Sequence, residues 1–301
     1  RVRGPGFPDT PPAMNARPAP SDPTLLARGI ARRLADHAAV VAVAMGGSRG
    51  TLGLGAVAGS DLDLEVYTRG DVPIDVRRAI VAVTGGAGRA ELGGSTWGLA
   101  DEWVTPDGLH VDLAYFDAAW MADRVAAVVE RHEPSLGYTT CFWHTVRGCR
   151  VLEDREGWLA ALRSRADVAY PEPLRRAIVA HNHPVLRAVL PAYATQLARA
   201  VERGDLVSIN HRLAALLASY VDIVFAVNRV THPGEKRLIA AMTQRCAALP
   251  VSMAVDLDEL LRTATTDLPG LPARLDRLLD RLDDLLRAEG FTEADLPSLR
   301  R

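Results

Sequence analysis

Gly46-Gly-Ser-Arg-Gly50 links an apolar run, Ala39-Val-Val-Ala-Val-Ala-Met45, to the alternating segment Ser60-Asp-Leu-Asp-Leu-Glu65, and no other stretch constrains the fold as much. The apolar run has the length and composition of a buried strand. In the segment after the turn, successive strand side chains leave on opposite faces. Asp61, Asp63 and Glu65 therefore share one face, and Leu62, Leu64 and Val66 the other. The leucine face can pack on a core. The acid face presents carboxylates roughly 6.5–7 Å apart along the backbone, a spacing from which two can reach one hard cation or a close pair. Gly47 and Ser48 offer backbone N–H groups and a hydroxyl with no bulky side chain in the way, which suits phosphate oxygens.

A cation held by two acids needs further oxygen ligands, and a transfer reaction needs a base near the attacking hydroxyl. Leu109-His-Val-Asp-Leu-Ala-Tyr-Phe116, introduced by the turn Thr105-Pro-Asp-Gly108, is the next strong strand. Asp112 interrupts its apolar run, and an unpaired acid there is costly, so a metal or cationic partner is expected. His110 shares the parity of Asp112 and is expected at the surface. Asp101 and Glu102 are expected at a strand end, and Asp107 in the turn.

The order Gly47-Ser48, twelve residues, then Asp61-Leu-Asp-Leu64 resembles the signature of the DNA polymerase β-like nucleotidyltransferase superfamily. The match covers the motif directly and extends over Val43–Phe116, with Asp112 in the place of the third acid on a later strand. The resemblance implies magnesium, one ion or two, held by Asp61, Asp63 and Asp112. It implies a nucleoside triphosphate, ATP or another, as co-substrate, with its β- and γ-phosphates on Gly47 and Ser48. Arg49 lies beside that cradle and is placed to add positive charge. Without a cation, three such carboxylates would raise one another's pKa.

At 301 residues the chain can bury a substantial core, and 48% hydrophobic with 24% charged residues is the balance of a globular protein. A net charge of −2 provides no general attraction for a nucleic-acid backbone, so a large RNA partner is not expected. Cys141, Cys149 and Cys246 have no close pairing, and reduced thiols in the cytoplasm are expected. No uninterrupted apolar stretch of membrane-spanning length is evident, and no membrane partner is expected. Residues 1–22, rich in proline, are read as an extension without regular structure or the apolar core of a secretory signal.

The expected fold is an α/β (α+β) nucleotidyltransferase domain with a mixed sheet over residues 23–170, followed by an all-α helical bundle over 171–301. Helices are expected from Pro23 to Ala38 (Ser21 or Asp22 as cap), Ile74 to Val83, Asp117 to His132 and Trp158 to Arg165. Strands are expected at Trp97–Val104 and Leu109–Phe116. Tyr138–Val146 is taken as helix, and Glu153–Gly157 as a turn. Beyond Pro171, about five Ala/Leu/Arg-rich helices are separated by Gly204, His232-Pro-Gly234, Pro250 and Pro269-Gly270. This half is expected to supply the other wall of a cleft. Lys236 sits near a helix start and resembles the basic residue that antibiotic-modifying nucleotidyltransferases direct at the triphosphate. His181 and His183 are expected as helix-surface or cap residues. Asn210 and Asn228 are expected on one helix face with Leu217, Val221 and Val224.

The function these features imply is transfer of a nucleoside monophosphate to a hydroxyl of a small molecule, aminoglycoside- or lincosamide-like compounds included. Nucleotidylylation of RNA or protein, and nucleotide binding without catalysis, are the alternatives. The acceptor and the oligomeric state are not readable from these residues.

Overall fold

The structure is a computed structural model and describes residues 22–57, 59–86, 90–93, 98–292 and 295–296. The N-terminal extension, Ser21 and Trp97 lie outside the described residues.

The apolar run before the glycine turn becomes β1 (Val40–Met45), buried along its whole length because strands pair with it on both sides. β2 (Leu62–Thr68) runs antiparallel to it, and β5 (His110–Asp117) lies parallel to β2. β4 (Ala100–Val104) and the short β3 (Ala90–Leu92) continue the sheet beyond β5. On the other edge β6 (Arg150–Asp154) pairs antiparallel with β1. The six-stranded order is β3-β4-β5-β2-β1-β6, a mixed sheet. β6 takes Glu153 and Asp154 out of the turn expected over Glu153–Gly157 and leaves Arg155–Gly157 as a 3-10 turn. Its charged ends conceal a two-residue apolar centre, Val151-Leu152, and only the pairing with β1 makes it a strand.

Alternation sorts the two sheet faces. Val43, Met45, Leu62, Leu64, Val66, Val111 and Leu113 pack under α1 (Pro23–Ala35) and α2 (Ile74–Val83). Asp22 caps α1, accepting from the Thr24 and Leu25 N–H groups. The opposite face, with Ala42, Ala44 and Tyr67, lies under α3 (Ala118–Val129), α4 (Cys141–Gly148) and α5 (Trp158–Ala166). Leu174 and Ile178 of α6 (Glu172–His183) join this second core, so the helical half continues it.

The helical half contains six α-helices among the described residues. They are α6, α7 (Tyr193–Glu202), α8 (Leu206–Val227), α9 (Leu238–Arg245), α10 (Met253–Thr266) and α11 (Leu271–Ala288). About five were expected; the additional break follows the π-helical turn Pro184–Ala188, where Pro191 cannot donate a helical hydrogen bond. α8 is by length and composition apolar enough to cross a membrane, contrary to the sequence expectation, and most of that stretch is buried in the helical core. Its N-terminal turns are not, so Asn210 is exposed while Val221 and Val224 are buried. His181 is exposed, as expected, but His183 is buried, with its Nε2 2.7 Å from Asp283 of α11; Asn182 between them is buried against the loop before α4.

Polar contacts lock the two halves together. Asp222 of α8 accepts from the Thr139 N–H (3.2 Å) and its hydroxyl (2.7 Å). His232 N–H donates to the Thr140 hydroxyl (2.7 Å), and His144 Nδ1 lies 2.7 Å from the Thr231 hydroxyl. These bonds hold the chain from Thr231 onward, so Lys236 emerges from a braced segment.

Candidate active site

The two halves of the motif interlock. Gly46 N–H donates to the Asp63 carbonyl (3.0 Å), which sets the turn directly beside the head of β2. A Cβ on Gly46 would overlap the Glu65 carboxylate, and one on Gly47 would overlap that of Asp63. Gly47 also has φ +54, a backbone region that other residues enter at a cost. Each glycine is thus small because an acid occupies the space its side chain would need.

Register then brings in the third acid. In the parallel β2–β5 pair, Asp63 and Asp112 are direct partners, about 4.7–4.9 Å apart across the sheet. In the antiparallel β5–β4 pair, Asp112 faces Glu102. One row across one face therefore reads Asp63, Asp112, Glu102, with Asp61 just before β2. Burial, then the Glu102 and Asp63 charges, pushes Asp112 up to about 6. Asp63 is raised chiefly by burial, with Lys236 pulling it down and Asp61 pushing it up. Asp112 Oδ1 is buried and has no hydrogen-bond partner.

Lys236 comes from the helical half to put Nζ 3.9 Å from Asp61 Oδ2. Both groups are solvent-accessible, so the pair contributes little to stability and can rearrange around a ligand. Arg49 donates from Nε to the Asp61 carbonyl and from Nη2 to the Ser60 carbonyl, both at 3.1 Å. Its guanidinium braces the approach to β2 from beside the turn.

A cleft of about 800 Å³ opens over this apparatus. Gly46, Gly47, Ser48, Asp61 and Asp63 line it, together with Leu52, Leu54, Val57 and Gly59 of the intervening loop and Lys236, Arg237 and Arg245 of the helical half. Arg245 Nη2 is hydrogen-bonded to the Leu52 carbonyl, and Arg237 Nη1 reaches the Gly55 carbonyl at 3.5 Å. Asp112 does not line this cleft; it lies across Asp63 from it.

Several features of this region were not expected from the sequence. Glu65 shares the strand parity of Asp63 but is buried at the inner end of the cleft, where the Tyr67 hydroxyl donates to it (2.6 Å). Burial pushes it up to about 7. Asp101, expected at a strand end, is buried on β4; it pairs with Arg77 at 3.6 Å and accepts from the Tyr115 hydroxyl and Gly93 N–H. Arg237 and Arg245 had no local signal, since only the tertiary fold brings them to the cleft. His110 is exposed, as expected.

The donor chemistry suits magnesium: carboxylate oxygens from Asp61, Asp63 and Asp112, one of them a buried oxygen lacking a partner. Among the described residues, no three His, Cys, Asp or Glu side chains converge as a ready-made metal cluster. Strand register fixes the backbones of Asp63 and Asp112, and side-chain rotation would be needed to bring the oxygens together.

Residues 140–238 match a family described as a domain of unknown function, DUF4037. No curated protein matches the chain. Among solved structures, the chain is similar to the nucleotidyltransferase-like protein from Exiguobacterium sibiricum 255-15. The two are 14% identical, the match covers 88% of this chain and 74% of that one, and the TM-score is 0.40.

Proposed function

We propose that this protein is a magnesium-dependent nucleotidyltransferase that moves a nucleoside monophosphate, AMP from ATP being the expected case, onto a hydroxyl of a small molecule. The observation that carries the reading is the register pairing of Asp63 with Asp112 beside a turn whose glycines interlock with the acids. In this reading, a phosphate site and a cation site stand against each other in one place.

In the proposed reaction the acceptor oxygen attacks the α-phosphorus. A new O–P bond forms, the bond from α-phosphorus to the bridging oxygen breaks, and pyrophosphate leaves with the electron pair. Asp112 takes the hydroxyl proton and passes it to water. Gly47 N–H and the Ser48 hydroxyl hold the β- and γ-phosphates, and Lys236, with Arg237 and Arg245, offsets the charge of the leaving group. Magnesium bound by Asp61, Asp63 and Asp112 would supply positive charge at the phosphates.

The test measures melting temperature with magnesium and ATP, then transfer of α-labelled phosphate to small hydroxyl compounds. ATP and magnesium should stabilise the wild type by roughly 2.7 kcal/mol at a hundredfold excess over the dissociation constant. Asp61→Asn should abolish that gain. The 3.9 Å approach of Lys236 to Asp61 favours a second reading, nucleotide binding without metal or catalysis. ATP stabilisation that ignores magnesium, with no label transferred, would support that second reading over the first.

A further inference from the structure

On β5 the two faces are treated differently: Val111, Leu113 and Tyr115 are buried, whereas Asp112, Ala114 and Phe116 are only half-buried. The helical layer therefore leaves a strip of sheet open, running from Asp112 over the small Ala114 to Phe116, about 13 Å along the strand. At its far end is an aromatic shelf. Phe116 stacks on Trp120 with centroids 6.1 Å apart and planes 5° apart, and Phe142 meets Trp120 edge-on at 4.9 Å. Trp120 is 42% and Phe142 36% exposed. The Asp117 carboxylate caps α3, accepting from the Trp120 backbone N–H at 2.8 Å, and so fixes the start of the helix that carries Trp120. At the near end Glu102 stands opposite Asp112.

The phosphate cradle follows β1, on one side of Asp63 in the sheet, while Asp112 and Glu102 lie on its other side. An in-line displacement requires the entering oxygen to approach opposite the leaving pyrophosphate. With pyrophosphate leaving into the cleft, the acceptor must enter over β5 and β4. We propose that this open strip is the acceptor subsite, and that it takes a hydroxyl compound whose far end is an apolar or aromatic ring lying on Trp120 and Phe142. Glu102 accepts a hydrogen bond from a second polar group of the acceptor beside the reacting hydroxyl. The inference rests on the nucleotidyltransferase reading and goes beyond it by assigning the acceptor's position and class.

Phenyl β-D-glucoside and methyl β-D-glucoside share their hydroxyls and differ in the ring that the shelf would bind. With magnesium, α-labelled ATP and the wild-type protein, the phenyl glucoside should have the higher kcat/KM by about tenfold, the scale of one good aromatic contact. The difference should lie mainly in KM, since the shelf binds ground state and transition state alike. Trp120→Ala and Phe142→Ala should each reduce that preference while retaining the melting shift produced by magnesium and ATP. If the shift is present but both glucosides are used equally, neither is used, or Trp120→Ala keeps the full preference, the acceptor assignment is overturned and the nucleotide site stands. If there is neither a shift nor any transfer, the parent reading fails and this inference fails with it.

Discussion

Gly47→Ala perturbs the point where turn and acids interlock, and its effect can be worked from geometry. Gly47 has φ +54, so an alanine there carries a left-handed backbone penalty of about 1–2 kcal/mol. Its Cβ would also overlap the Asp63 carboxylate, so either the turn or Asp63 must move. Gly157 provides the control: its φ is +69, and nothing lies within 4 Å of the position an alanine methyl group would take there. Gly157→Ala should carry the backbone penalty alone, a loss of roughly 2–4 °C in melting temperature per kcal/mol for a domain of this class. Gly47→Ala should melt lower than Gly157→Ala and, unlike it, lose most of the gain from magnesium and ATP. Scanning calorimetry of both variants with and without ligand decides the matter. Equal melting temperatures and an intact ligand shift in Gly47→Ala would refute the idea that Asp63 and the turn form one site.

Other perturbations test the surrounding structure. Arg77→Ala leaves Asp101 buried beside only the Tyr115 hydroxyl and Gly93 N–H, and should cost about 3–5 kcal/mol in urea unfolding. The double variant Arg77→Ala/Asp101→Asn should lose less than Arg77→Ala alone; an equal or larger loss contradicts the pairing. Asp222 is pushed up to about 7 by burial, so folding favours its protonated form. Its stabilising contribution is complete below the ordinary carboxylate range and is lost as pH rises through about 7. Relative to Asp222→Asn, the wild type should therefore weaken between about pH 4 and 7, which urea titrations at several pH values would read; a gap independent of pH counts against it. Arg49→Ala removes two bonds to the Ser60 and Asp61 carbonyls, and should lower the ligand-induced melting shift more than it lowers the melting temperature of the free protein. A shift equal to that of the wild type would show that Asp61 needs no such brace.

The parts of this molecule that local pattern controls could be read directly. The apolar run of β1, the alternation of β2 and the isolated acid in β5 each need only their neighbours in sequence, and the structure shows those strands with Asp63 and Asp112 in register. β6 was illegible because Arg150, Glu153 and Asp154 outweigh its short apolar centre, and its identity comes from β1. Alternation predicted the face of Glu65 but not its depth, because the cover over that face belongs to elements far along the chain. The same limit hid the burial of Asp101 and Asn182, whose partners Arg77 and Gly137 lie on other elements. Lys236 was singled out from its loop, while its approach to Asp61 depends on the Thr139–Asp222 and Thr140–His232 bonds that seat the helical half.

The steric fit of Gly46 with Glu65 and of Gly47 with Asp63 makes these four positions a single mutational unit. A methyl group gained on the turn must be matched by atoms surrendered on the neighbouring strand, so substitutions at the four places are expected to be strongly non-additive. Anyone transplanting the acids into another scaffold would have to carry the bare backbone opposite them as well.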